Sequence, residues 1–304
     1  MESAANWKPL LYRNDSSVSV LMYGPGSNQE LRFIDLGDNA ASDSPSMVET
    51  STDVPLILDR FFAANDRSVW WIRPGAPSDA IWRDLDGAIQ LTSGDAPPYT
   101  DEHFSPVVGR LFQDRSAVFW LSPSDETGYL TYVSGDDLVQ NGVAKAACGL
   151  EDGVRYNGVP GDYDGDGTDE IVWYDFETGE ARYWPQLPNC LNSSVVNIGK
   201  AKVAAFRITG GSDILLVYRP QNLVVQFIDA ISGVVLATLD QSADASPILR
   251  DFDADGCTDI LWFTPHLSLS QLWHSNCDTT FLESVVQHPA EAYPLGYGLG
   301  HGRR

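Results

Sequence analysis

Ile171-Val172-Trp173-Tyr174 is a short unbroken run of β-branched and aromatic residues, and five other segments of the chain match it. They are Val20-Leu21-Met22-Tyr23, Val69-Trp70-Trp71-Ile72, Val118-Phe119-Trp120-Leu121, Ile214-Leu215-Leu216-Val217 and Ile260-Leu261-Trp262-Phe263. Their third residues, from Met22 to Trp262, recur at a mean spacing of about 48 residues, which falls among the periods of propeller blades. A run apolar at every position, instead of at alternate ones, reads as a strand buried on both faces. A blade packed between two neighbours needs such a strand.

Working outward, a second column lies eleven residues further on: Phe33, Trp82, Trp184, Phe227 and Trp273, with Thr131 and then Tyr132 in the third copy. Turn-formers separate the two columns, among them Gly24-Pro25-Gly26, Pro74-Gly75, Ser122-Pro123 and Thr178-Gly179. Strand, tight turn and strand with a large aromatic is a hairpin signature. Before each first column stands a third element: Pro9-Leu10-Leu11, Pro55-Leu56-Ile57, Pro106-Val107-Val108, a weaker Lys202-Val203-Ala204, and Pro247-Ile248-Leu249. With a less regular fourth strand, each copy makes a four-stranded blade. No stretch holds a helical period, and Gly and Pro interrupt throughout.

The chain therefore reads as all-β, a β-propeller of four-stranded blades in a single domain over 1–304. Repeats begin near 9, 55, 106, 158, 202 and 247, which predicts six blades. Tyr293-Pro294-Leu295-Gly296-Tyr297 resembles a partial seventh start near 294, so seven is the alternative.

Forty-two acidic against nineteen basic residues give a net charge of −23, which argues against nucleic acid and anionic membrane surfaces as partners. No apolar run is long enough to insert in a membrane, and the start at Met1 lacks a basic-then-apolar leader. A soluble monomer is expected, either not exported or with a native leader replaced at Met1. Most of the acidity reads as surface hydration. Metal binding is indicated only where carboxylates fall at ligand spacing.

Two copies have that spacing: Asp162-Tyr163-Asp164-Gly165-Asp166-Gly167-Thr168-Asp169-Glu170 and Asp251-Phe252-Asp253-Ala254-Asp255-Gly256-Cys257-Thr258-Asp259. Oxygens at alternate positions can converge on a hard cation, and Gly at position six permits the sharp turn. Asp162, Asp164, Asp166 and Glu170 are the candidate ligands of one calcium ion; Asp251, Asp253, Asp255 and Asp259 are those of a second. Backbone carbonyls of Thr168 and Cys257 complete the sets at position seven. Read as plain acidic turns, three aspartates in five residues would repel one another uncompensated. An EF-hand needs a longer loop and flanking helices, whereas both loops run directly into apolar strands.

Gly161-Asp162-Tyr163-Asp164-Gly165-Asp166-Gly167 through Trp173, and Asp251 through Trp262, resemble FG-GAP/VCBS repeats, the calcium-loop repeats of the integrin α-subunit head and of many secreted microbial proteins. The resemblance implies propeller blades whose first two strands are bridged by a calcium-braced loop. The other copies depart from the pattern at Arg13 to Ser17, Asp59 to Asp66, Arg110 to Asp114 and Arg207 to Gly211, and no metal ligand is placed there. Such repeats occur in adhesion proteins, lectins, polysaccharide lyases and toxin scaffolds, so the resemblance carries fold further than function.

Held at fixed register, Trp71, Trp82, Trp120, Trp173, Trp184, Trp262 and Trp273 read as inter-blade core. Sugar-stacking aromatics are expected off register, at Tyr99, Tyr156 or Tyr297. His103, His266, His274, His288 and His301 are dispersed and read as ordinary, and no nucleophile or zinc motif is present. The four cysteines show no CxxC, which argues against zinc; in an up-and-down blade Cys257 can reach Cys277, and Cys148 can pair with Cys190. Bridges and calcium together suggest an extracellular or periplasmic setting. The expectation is a calcium-stabilised, lectin-like or adhesive propeller binding a glycan or protein ligand, with an axial polysaccharide lyase or hydrolase, or a structural propeller of a larger adhesin or toxin, as alternatives. No catalytic residue is indicated.

Overall fold

The computed structural model describes residues 105–287 apart from 113–114, 123, 135–136, 186, 188–189, 191–192, 242–244, 254 and 265–266, and before them 8–14, 17–23, 31–35, 41–43, 54–59, 61, 67–72, 78–85 and 88–95. The expected seventh start near 294, with Tyr99, Tyr297, His103, His266, His288 and His301, lies outside these residues.

Six four-stranded sheets occupy the described chain, each an antiparallel meander in chain order. The first holds β1 (Lys8–Asn14), β2 (Ser17–Tyr23), β3 (Leu31–Asp35) and β4 (Ala41–Asp43); the second holds β5 (Val54–Asp59), β6 (Arg67–Ile72), β7 (Ser78–Leu85) and β8 (Ala88–Asp95). Next come β9 (Ser105–Phe112), β10 (Arg115–Leu121), β11 (Thr127–Ser134) and β12 (Asp137–Ala144), then β13 (Tyr156–Gly161), β14 (Glu170–Asp175), β15 (Glu180–Trp184) and β16 (Ser194–Asn197). The last two sheets are β17 (Lys202–Arg207), β18 (Asp213–Arg219), β19 (Val224–Ile228), β20 (Val235–Asp240), and β21 (Ser246–Arg250), β22 (Asp259–Phe263), β23 (Leu269–Ser275), β24 (Phe281–Gln287). One 3-10 turn, Ala146–Cys148, joins the third sheet to the fourth. No described helix is long and apolar enough to cross a membrane.

The chain packs as two compact units. The first carries β1 to β8 as far as the described strands go, save Asp59 at the end of β5; the second carries the four sheets from β9 to β24.

In the second unit the first strands of successive sheets lie side by side, β9 against β13 and β13 against β17. The core then follows from the period of two along a strand. Ile171 and Trp173 of β14 pack with Val107, Phe119 and Leu130 of the preceding sheet, while Val172 and Tyr174 pack with Val203, Leu215 and Val217 of the following one. Likewise β18 gives Leu215 and Val217 to one interface and Leu216 and Tyr218 to the next, where Trp262 and Trp273 wait. Every residue of β14 is buried. Each fully buried large apolar side chain contributes about 1.5–3 kcal/mol, so a strand feeding two cores anchors both interfaces.

Trp120, Trp173, Trp184, Trp262 and Trp273 are core residues as their register predicts. The side chains of Trp71 and Trp82 lie outside the described set; Trp70, beside Trp71, is buried. Thr131 takes the aromatic's place in the third sheet by accepting the Trp120 indole N–H at 3.0 Å. In the fifth sheet the two columns pair directly, Leu216 with Phe227, whereas in the fourth it is Ile171 that opposes Trp184. Equal sequence spacing thus conceals a two-residue difference in hairpin register. Tyr156 is a correction: it is not a loop aromatic but the first residue of β13, and it is buried.

Two disulfides, Cys148–Cys190 and Cys257–Cys277, span 42 and 20 residues; loops of those lengths stabilise by roughly 3–4 kcal/mol each in the chain-entropy account.

Close approach of the third and fourth sheets is set at Gly158, where a Cβ would come within 2.3 Å of Val107 Cγ2 and 2.9 Å of the Trp173 ring. Gly158→Ala is expected to lower unfolding stability by about 1–3 kcal/mol, measured by urea denaturation. Alkaline pH should act in a second way. Burial chiefly raises the Tyr156 and Tyr174 phenols above the ordinary tyrosine value. Their folded pKa exceeds the unfolded one, so stability is intact below about pH 10 and is lost as the pH climbs through the folded value; thermal melts across pH 8–11 should show it.

Candidate metal loops

The two acidic loops join the first and second strands of the fourth and sixth sheets, 162–169 between β13 and β14 and 251–258 between β21 and β22. Both fold by the same hydrogen bonds. The first aspartate accepts from the position-six glycine, Gly167 N to Asp162 Oδ2 at 3.1 Å and Gly256 N to Asp251 Oδ2 at 3.0 Å. The third-position aspartate accepts from position five, and the fifth from position seven: Asp166 N to Asp164, Thr168 N to Asp166, Asp255 N to Asp253 and Cys257 N to Asp255. Position nine closes the loop, with Glu170 accepting from Tyr163 N at 2.8 Å and Asp259 from Phe252 N at 2.7 Å. Gly167 and Gly256 hold φ of 92° and 91°, the left-handed region where a side chain is strained.

Each carboxylate that accepts one backbone N–H keeps lone pairs for something else. Oxygens of Asp162, Asp164 and Glu170 lie within 4.8 Å of one another, as do oxygens of Asp251, Asp253 and Asp255. Asp162 Oδ1 is buried and has no hydrogen-bond partner. Burial first, and then the Asp164 charge, push Glu170 up to about 8. The counter-charge beside the trio among the described residues is Arg110, whose guanidinium stands 3.9 Å from Asp162 Oδ2; a bound dication would offset the remaining repulsion between Asp164 and Glu170. The donor set is all oxygen in the first loop and suits a hard dication.

Asp166 is turned to its own Thr168 amide. Asp259 instead groups with Asp253 and with His274, which sequence reading passed over as ordinary. His274 follows Trp273 in β23, and it reaches the loop only because β23 pairs with β22 in the register Ile260 to Trp273. Its place one residue past the aromatic column was the available signal.

Also unread in the sequence is a repeated latch between sheets. Asp169 N donates to Arg110 O while Arg110 N donates to Asp169 Oδ2, at 3.0 and 2.7 Å. The next interface repeats it, with Asp213 N to Asp162 O and Asp162 N to Asp213 Oδ2 at 2.6 and 2.9 Å. A third copy joins Thr258 N to Arg207 O and Arg207 N to Thr258 Oγ1, both at 3.1 Å. In each, a polar side chain at or just before the start of a second strand grips the end of the first strand one sheet back. Arg110 adds an ion pair to Asp169 at 3.2 Å, and Arg207 one to its own sheet's Asp213 at 2.9 Å. The first residue of the acidic loop, Asp162, is thus also a latch residue.

No family model matches the chain, and no curated protein does. Solved structures do. The β-propeller domain of Cps50 (Swd1) from Myceliophteria thermophila is 10% identical with a TM-score of 0.59, over 95% of this chain and 88% of that one. Apo AztD from Citrobacter koseri is 11% identical with a TM-score of 0.57, over 93% and 87%. Kluyveromyces lactis Hsv2p is 10% identical at 0.52, over 89% and 75%. At such identities the likeness speaks of fold alone, and the fold is a β-propeller.

Asp213→Ala should leave Asp162 N and the Arg207 guanidinium without their acceptor and cost about 2–3 kcal/mol. Asp213→Asn, which keeps one acceptor oxygen, should cost less; denaturant midpoints of the two variants separate these outcomes.

Proposed function

We propose that this propeller is a calcium-stabilised binding module, built from repeats of the FG-GAP/VCBS kind, that recognises a glycan or protein ligand. The observation that carries the metal part is Asp162 Oδ1, a buried carboxylate oxygen without a hydrogen-bond partner, inside a carboxylate trio. Asp162, Asp164, Asp166 and Glu170 with the Thr168 carbonyl would hold one ion, and Asp251, Asp253, Asp255 and Asp259 with the Cys257 carbonyl the other. Flexible many-oxygen shells suit calcium better than magnesium. The ion would supply positive charge at the head of two blades, so that the carboxylates hold the loops and, through Asp162, the latch to Asp213. Loops held rigid bind at lower entropic cost. Phe252, exposed at position two of the second loop, offers an aromatic face there. The two disulfides support an extracellular or periplasmic setting.

Saturating calcium should raise the melting temperature relative to EDTA by several degrees, since a ligand at a thousand times its Kd adds about 4 kcal/mol. Asp162→Asn or Asp164→Asn should remove much of that difference, and a melting temperature unmoved by EDTA would remove the calcium part. On a glycan array, binding to a defined sugar class in calcium but not in EDTA is expected of a lectin. A blank array in both leaves the protein ligand.

A further inference from the structure

The two loops differ in one donor. In the fourth sheet Ile171 pairs with Trp184, and the residue that follows is Pro185; in the sixth Ile260 pairs with Trp273, and the residue that follows is His274. Pro185 offers a metal nothing, whereas His274 offers an imidazole nitrogen.

That nitrogen is aimed into the loop. His274 Nδ1 lies 3.6 Å from Asp253 Oδ2 and 3.8 Å from Asp259 Oδ2. Both separations exceed the range of a hydrogen bond, and the Nδ1 atom is buried with no partner. Two ligands each about 2.1 Å from one cation, with an angle of about 110–130° between them, stand about 3.4–3.8 Å apart. The spacing is that of donors sharing an ion. Asp259 is fully buried and pinned on both sides, by Phe252 N and by Ser275 N at 2.8 Å, so one face of the cluster is preset. Asp253 is half-exposed and also belongs to the oxygen group with Asp251 and Asp255, which leaves an entry path and further oxygens.

We propose that the second loop is a mixed oxygen–nitrogen site, with His274, Asp253 and Asp259 as its centre, that takes a borderline first-row transition dication of the zinc and cobalt class. The first loop remains all oxygen. Imidazole nitrogen favours such metals strongly and adds little for calcium, so the two sites sort cations by donor chemistry. The inference rests on reading both loops as metal loops; it replaces calcium by a transition dication in the second loop and does not depend on the first metal being calcium.

Zinc and cobalt chloride are the probes. Zinc is titrated calorimetrically into the full chain in excess calcium and again after chelator and exchange, and cobalt is followed by its visible absorption. One equivalent of zinc should bind with calcium present. His274→Ala, His274→Gln and Asp253→Asn should each weaken it at least tenfold and change the cobalt spectrum, with melting temperature confirming that each variant is folded. Asp164→Asn in the first loop should leave zinc affinity within twofold. Zinc affinity unchanged in both His274 variants, or no stoichiometric zinc binding, overturns the proposal. If zinc binds through His274 while calcium binds nowhere, the mixed site stands and the calcium reading falls; if two calcium ions bind and zinc ignores His274, the reverse holds.

Discussion

A strand buried on both faces has no side left for its polar ends to reach water, so its backbone groups must be met by the loops at its head. In β14, β18 and β22 those heads are where the latches sit, at Asp169, Asp213 and Thr258. Each latch crosses to the sheet before it and pairs one backbone N–H and one carbonyl reciprocally with the neighbour. Apolar packing supplies most of the free energy at the interfaces, but it is non-directional. The latches set the register in which those surfaces meet. They explain why carboxylates and hydroxyls recur at the start of strands whose central residues are apolar.

The acidic loops elaborate this arrangement. Asp162 ends β13's run as a latch residue through its backbone N–H and carbonyl and begins the loop as a candidate ligand through its carboxylate, so the electrostatics of the loop and the alignment of two sheets meet at one residue. Its neighbours press in the other direction: Glu170 is buried, pushed up to about 8, and close to Asp164. The Asp164 and Glu170 carboxylates repel one another beside the interface, and a cation held between them would replace that repulsion with attraction. In the sixth sheet the Cys257–Cys277 disulfide ties position seven of the loop to the β23–β24 turn, a covalent brace absent from the first loop.

The blades were legible because a doubly buried strand must be apolar at every position, a pattern no amphipathic helix or one-faced strand produces. Asp162, Asp164 and Glu170 were legible as a group because alternate carboxylates around a glycine have few other uses. Asp169, Asp213 and Thr258 were not, since each works on a residue 51 to 59 positions away and looks like any polar strand start. His274 was hidden for a related reason: only the hairpin register turns it toward Asp253. Tyr156 was misread because it stands off the register of the aromatic columns, whereas it opens β13, where Gly158 lets Val107 and Trp173 close in.

The central claim is that an ion in the first loop tightens an interface between sheets, and amide hydrogen exchange reads it residue by residue. In calcium, the amides of Tyr163, Gly167 and Thr168 in the loop, and of Asp213 across the latch, should exchange at least tenfold more slowly than in EDTA. Identical rates at Asp213 with and without calcium would contradict the coupling, whatever the loop amides do.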